Sequence, residues 1–235
     1  MKIVLNPGHG PKSSGVFDPG AVGPAGTREA DVNLAVAKLL KALLEAAGLE
    51  TPLIRDGDLG DVVSQANASG ADYFISIHCN AASSSAAHGT ETYIYKADSQ
   101  AKKLAEAIQA AAAAELGTAD RGVKTADFYV LRKTAMPALL IELAFVSNPE
   151  EEGLLSDQDI QRRIALTLAD TIITHLGINP GSDDGVTVAI RGAADIILRG
   201  KRIDGVTYLP ARACLEALGY QVDWEPGRVD AWAKQ

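Results

Sequence analysis

The chain of 235 residues has room for one good-sized domain, or for one domain with a small appendage. With 47% hydrophobic and 22% charged residues, it has the composition of a globular protein rather than a disordered or fibrous one. Net charge is -8, from 22 basic and 30 acidic residues, and no basic run occurs, which argues against nucleic acid and membrane surfaces as partners. No apolar stretch approaches the roughly 20 residues of a membrane span, so membrane insertion is not expected.

In chain order, Ile3, Val4 and Leu5 predict a buried strand, because a short apolar run bounded by Pro7 and Gly8 is too brief for a helix. The strand delivers His9 between Gly8 and Gly10, which let the backbone bend sharply. Met1 leads straight into it without a basic n-region, apolar h-region or cleavage site, so no export signal is expected. Residues 11–26 read as a long loop, with Asp18-Pro-Gly20 as a turn in which Asp18 is structural.

Thr27 is expected to cap a helix in which Val32, Val36, Leu39, Leu40, Leu43 and Leu44 recur at helical spacing, closed by Gly48. Glu29 falls in its first turn. A strand over Thr51–Arg55 and a short helix ending near Asn67 follow. The run from Asp72 to Asn80 is a further strand, which ends at His78, and Gly89–Tyr95 alternates as another. An alanine-rich helix spans Ser99–Leu116, strands are expected at Phe128–Leu131 and Ala138–Leu143, and an amphipathic helix runs from Asp157 to Leu176. Strands alternating with helices predict an α/β three-layer sandwich, with a mostly parallel twisted sheet flanked by helices and the active groups at the carboxyl ends of its strands.

Residues 179–185, rich in Pro, Gly and Asp, read as a linker between a domain over 1–178 and a small mixed α+β domain over 186–235. In the latter, β runs are expected at Val186–Ile190, Asp195–Leu198, Val206–Pro210 and Gln221–Trp224, with a turn over Arg199–Arg202 and a helix over Ala211–Leu218. Cys79 and Cys214 fall in different domains, so free thiols are expected rather than a disulfide.

His9 and His78 end separate strands, and in a parallel sheet both reach one edge, to which Glu29 also points. Two imidazoles and a carboxylate suit a catalytic zinc ion with room for water. Each has a simpler alternative: His9 a solvated turn residue, Glu29 a partner of the helix dipole, His78 a core histidine. Glu142 sits inside the apolar run from Ala138 to Phe145, where an ionised carboxylate needs a cation, a donor or a solvent-filled cleft. It is either a general base beside a metal or half of a buried salt bridge to Arg132 or Arg55. Cys79 cannot easily share a site with His78, since adjacent strand residues face opposite ways. His88 and Asn80 remain weak candidates for substrate contact, and His175 suits the last turn of its helix.

Eight blocks occur in one order: Asn6-Pro-Gly-His-Gly10, Asp18-Pro-Gly-Ala-Val-Gly23, Glu29-Ala-Asp-Val-Asn33, Ala66-Asn67, the run from Ala71 to Ala81, Gly89-Thr-Glu-Thr-Tyr93, Arg121-Gly-Val-Lys124 and Ile141-Glu-Leu-Ala-Phe-Val-Ser-Asn148. In this, residues 1 to about 177 resemble the zinc-dependent N-acetylmuramoyl-L-alanine amidases of the amidase-3 class. The resemblance implies Zn2+ held by His9, Glu29 and His78, and Glu142 as catalytic glutamate. The implied reaction is hydrolysis of the amide between N-acetylmuramic acid and the L-alanine of bacterial peptidoglycan. It also implies an endolysin or other lytic enzyme that reaches the wall after release, by a holin or by mother-cell lysis. One departure is Val62, where such proteins usually place an arginine. Residues 206–212 and 215–224 resemble a copper amine oxidase N-terminal-like, or stalk, domain, which implies wall binding or homodimerisation.

Two rivals remain open from the residues. A zinc peptidase acting on wall peptides would have a His-x-x-Glu pair, but Lys12 stands three residues after His9. A non-catalytic wall-binding or regulatory protein has no need of intact His9, Glu29, His78 and Glu142.

Overall fold

The computed structural model describes residues 1–178 and, beyond them, five strands between residues 186 and 233. The central sheet orders its strands β1 (Ile3–Pro7), β4 (Tyr73–Asn80), β7 (Ala138–Phe145), β5 (Thr90–Ile94) and β6 (Asp120–Thr125). β1 with β4 and β4 with β7 are parallel, β5 with β7 is antiparallel, and β5 with β6 is parallel. The predicted mostly parallel sandwich is therefore present, with one reversal at its centre. Two-residue strands β2 (Gly10–Pro11) and β3 (Phe17–Asp18) form a hairpin inside the first long loop.

Alternation along the strands divides the core. Ile3, Leu5, Ile75, Ile77, Cys79, Leu139, Ile141 and Leu143 face α1 (Glu29–Ala46), α3 (Lys102–Leu116) and α6 (Gln158–His175), and α6 packs against both α1 and α3. Val4, Phe74, Ala138 and Leu140 face the thinner layer of α2 (Leu59–Ala68) and α4 (Tyr129–Lys133). His78 and Glu142 follow the second parity, one strand residue beyond Ile77 and Ile141. Where α2 and α4 stop short of covering the sheet, these two side chains line a cleft.

Several elements depart from expectation. Thr27 does not cap α1. Arg28 holds that position without a side-chain bond, and the loop takes the first helical N–H groups: Glu29 N donates to Ala21 O at 2.9 Å and Ala30 N to Pro19 O at 3.0 Å. Thr51–Arg55 makes only a single isolated bridge to β1, Leu53 with Leu5, because Pro52 has no N–H to continue a ladder. Phe128–Leu131 is not a strand: Phe128 is the N-cap of α4, and the strand lies earlier, at β6. A further helix, α5 (Pro149–Ser156), precedes α6, with Asn148 capping it through Glu150 N and Glu151 N and Pro149 in its first turn.

Beyond residue 178, β8 (Val186–Ile190), β9 (Ile196–Ile203) and β10 (Val206–Tyr208) form an antiparallel sheet, and β11 (Tyr220–Glu225) pairs with β12 (Arg228–Ala233). The turn expected at Arg199–Arg202 is instead strand, since β9 pairs with β8 on one side and β10 on the other. The expected linker over 179–185, the helix over Ala211–Leu218 and Cys214 lie outside the described residues.

Candidate metal centre

β1 ends in Pro7-Gly8, and His9 follows with φ at 63°, a left-handed conformation that costs a non-glycine residue about 1–2 kcal/mol. The bend turns its ring toward α1. A Cβ on Gly20 would fall 2.6 Å from Glu29 Oε2 and 2.7 Å from His9 Cδ2, so only glycine fits where the loop passes the two.

Glu29, 4% exposed at the N-terminus of α1, is the centre of the arrangement. His9 Nε2 lies 3.3 Å from its Oε2, and His78 Nδ1 lies 2.9 Å from its Oε1. Backbone N–H groups of Ala21 and Cys79 donate to the same carboxylate at 2.9 and 3.2 Å. Although burial opposes ionisation, the bonds from His78 and His9 hold this carboxyl well below the usual range. Hydrogen bonding to Glu29, working against burial, pushes His9 up to about 9. One ligand atom from each of His9, Glu29 and His78 lies within 4.8 Å of the others.

Asp18, expected as a turn residue only, approaches His9 Nδ1 at 3.2 Å and accepts from Gly20 N at 3.0 Å. A carboxylate on the far ring nitrogen fixes which nitrogen faces inward. Asn33, fully buried on α1, donates to Gly8 O at 3.1 Å, while the Cys79 thiol turns away from the cleft to Asn33 Oδ1 at 3.4 Å. Cys79 is a free, buried thiol, as expected.

Glu142 stands beside His78 across the β4–β7 register. Its Oε2 is buried and has no hydrogen-bond partner among the described residues. The salt bridge considered from sequence is absent there: Arg132 pairs with Asp127 at 2.5 Å, and Arg55 donates to the carbonyls of His9 and Ala30, both at 3.0 Å. Burial pushes the Glu142 carboxyl up to about 7. Directly opposite it on β5 is Glu91, which accepts from Arg121 and Lys124 at 2.5 Å and from Tyr93 and Asn80 at 2.6 Å. Burial raises this carboxyl, but the bonds from Arg121, Lys124 and Tyr93 outweigh it and hold it at about 2. Asn80 is thus committed to Glu91. His88 lies in an exposed loop, with Nδ1 2.9 Å from Ala86 O, and neither residue lines the cleft.

Two adjacent glutamates at the start of α5 went unread in the sequence. Glu152, 2% exposed, accepts from Ala25 N and Thr27 N at 2.9–3.0 Å and so fastens the loop that leads into Glu29. Glu151 accepts from Gly89 N at 2.7 Å and Phe145 N at 2.6 Å. Asn148-Pro-Glu-Glu-Glu marks a helix start, but nothing in it announces that Gly89, Thr27 and Ala25, 62 to 127 residues away, are partners.

Residues 3–174 match the family described as N-acetylmuramoyl-L-alanine amidase. The chain belongs to this family. It is 40% identical to the amidase LytC of Bacillus subtilis over 180 residues, which are 74% of this chain and 35% of LytC. An endolysin of Bacillus phage SPP1 is 35% identical over 192 residues, 77% of this chain and 68% of the endolysin. The catalytic domain of the amidase CwlV from Bacillus (Paenibacillus) polymyxa var. colistinus superposes with a TM-score of 0.69 at 37% identity, covering 76% of this chain and 99% of that one. The chain spans only about a third of LytC, and 52% of a probable cell wall amidase, LytH, of Staphylococcus epidermidis. These amidase relatives match the sheet and its helices, and the family match stops at residue 174, before the C-terminal strands.

Proposed function

We propose that the chain hydrolyses the amide between N-acetylmuramic acid and L-alanine in bacterial peptidoglycan, with a zinc ion held by His9, Glu29 and His78. The observation that carries this reading is the orphan Glu142 Oε2, buried beside a cluster of two imidazoles and a carboxylate. A donor set of that kind suits zinc and leaves a position for water. When bound, the ion supplies Lewis-acid polarisation of the scissile carbonyl and lowers the pKa of water.

The chain's own residues do the rest. Glu142, near neutral in pKa, accepts a proton from the attacking water and delivers it to the leaving L-alanine amine. Glu91 does not compete for that proton, because Arg121 and Lys124 keep it ionised; neighbouring carboxyls whose pKa values are pushed apart divide their roles. Asp18 and Asn33 hold the ligand-bearing segments in register.

The amidase domain is proposed to span 1–178, joined through 179–185 to a stalk-like domain over 186–235 that binds the wall or dimerises. The phage relative named as an endolysin supports action on the wall after release during lysis. Digestion of purified peptidoglycan tests the reaction. New L-alanine amino termini are expected with wild type and not with chelated protein or Glu142→Ala. Undiminished release after complete metal removal sinks the mechanism.

A further inference from the structure

The cleft over the metal cluster has a volume of about 750 Å3 and two unlike walls. On one side stand the β2–β3 hairpin and Arg55. Lys12 is already paired with Asp18 at 3.1 Å, whereas Arg55 spends its donors on backbone carbonyls and meets no carboxylate among the described residues. On the other side, α4 begins with Phe128 and Tyr129, 40% and 38% exposed, although Val130 and Leu131 beside them are buried. The core face of α4 is therefore filled by its next two residues, and the two aromatic rings contribute little to it.

Each ring is nonetheless held in place. Phe128 meets Tyr93 edge to face at 5.1 Å and 60°, and Tyr129 is backed by the Arg132 guanidinium at 5.9 Å from its centroid. Two braced, half-exposed aromatic rings bordering a cleft offer apolar faces of the sort that ligand sites use for orientation.

Resting on the amidase reading, we propose that Phe128 and Tyr129 are the platform on which the muramoyl sugar stacks. The scissile amide joins two unlike groups, so its carbon must sit between unlike walls. A pyranose ring offers a broad C–H face, which is attracted to the electron-rich face of an aromatic ring. A stem peptide carries carboxylates, which suit a guanidinium. The orientation that meets both is sugar over α4 and peptide past Arg55, since Arg132 on the α4 side is already paired with Asp127, and Phe17 on the other side lies under Arg55 and does not line the cleft. The reverse would bring carboxylates to the aromatic rings and leave Arg55 without an anion.

The test compares two substrates with the same lactyl–L-alanine amide, a disaccharide muropeptide and a D-lactoyl peptide that lacks the sugar. Phe128→Ala and Tyr129→Ala are expected to lower kcat/KM on the muropeptide about 10-fold, through KM, and to leave the lactoyl peptide at the wild-type rate. Tyr129→Phe, which keeps the ring, should restore the muropeptide rate. Equal losses on both substrates, or no loss on the muropeptide, overturn the platform. Wild type that cleaves neither refutes the amidase reading itself, and the platform with it.

Discussion

Gly8 lies flat against the imidazole of His78: a Cβ at position 8 would stand 2.0 Å from Cε1 and 2.3 Å from Nε2. From sequence, the glycines around His9 promised freedom to bend. In the structure Gly8 serves instead as clearance for a ring carried by the neighbouring strand.

Gly8→Ala should therefore displace His78 while the sheet persists. Metal affinity is expected to fall about 10–100-fold, as when a ligand's support is removed. Competition with a chromophoric chelator measures it, with circular dichroism as the check on the fold. Unchanged affinity would mean that the strands separate to admit the methyl group.

Glu142 yields a stability prediction for metal-free protein. Its carboxyl is raised from 4.5 to about 7 by burial, so the favourable neutral form is fully present below pH 4.5 and is lost as pH rises to about 7. That difference corresponds to about 3 kcal/mol. Glu142→Gln, neutral throughout, should be the more stable protein above pH 7 by that order and equal to wild type below pH 4.5. Urea titrations at the two pH values decide it.

On the proposed zinc site, His9 sets the pH dependence of metal uptake. Hydrogen bonding to Glu29 raises it to about 9, so below that pH its proton must leave before a metal enters. Affinity should climb about one decade per pH unit and level off near pH 9. A flat profile between pH 7 and 9 would show that Glu29 does not hold a proton on His9 in the metal-free protein.

Glu152→Ala should leave the N–H groups of Ala25 and Thr27 without their shared acceptor and loosen the loop ahead of Glu29. Bonds to a charged acceptor contribute about 1.5–3 kcal/mol each, so a clear drop in the urea midpoint is expected, with faster exchange of both amides. Glu152→Gln keeps an acceptor and should recover part of the loss. Wild-type exchange in the alanine variant would remove Glu152 from this role.

The sheet and the meeting of His9, His78 and Glu142 at one edge of it were legible because both depend on local signals. β1, β4 and β7 are short apolar runs; His78 and Glu142 interrupt the last two where a polar group requires a reason, and His9 follows the first between two glycines. The amidase family match then agreed with the order of the motifs. What escaped was set by distant partners or by weak periodicity. Phe128–Leu131 is four residues of apolar sequence, too short to separate a strand from a helical turn. Thr51–Arg55 has strand composition, but Pro52 breaks the ladder. Glu91, Glu151 and Glu152 look like ordinary surface acids until folding brings backbone amides and cations to them from across the chain.

The reversal of β5 has a consequence for what the chain tolerates beside the cleft. Because β4 runs toward the edge that carries His78 and β5 runs back from it, residues 81–89 turn over at that edge without crossing to the far side of the sheet. This short connection is tied at only a few points, among them Ala82 N to Ser147 Oγ and Asn148 Nδ2 to Ser85 O, both at 3.0 Å. None of these residues lines the cleft, so insertions here would build outward at that edge of the sheet while leaving every strand and helix in register. It is the place where the chain can be lengthened beside the cleft at the least risk to folding.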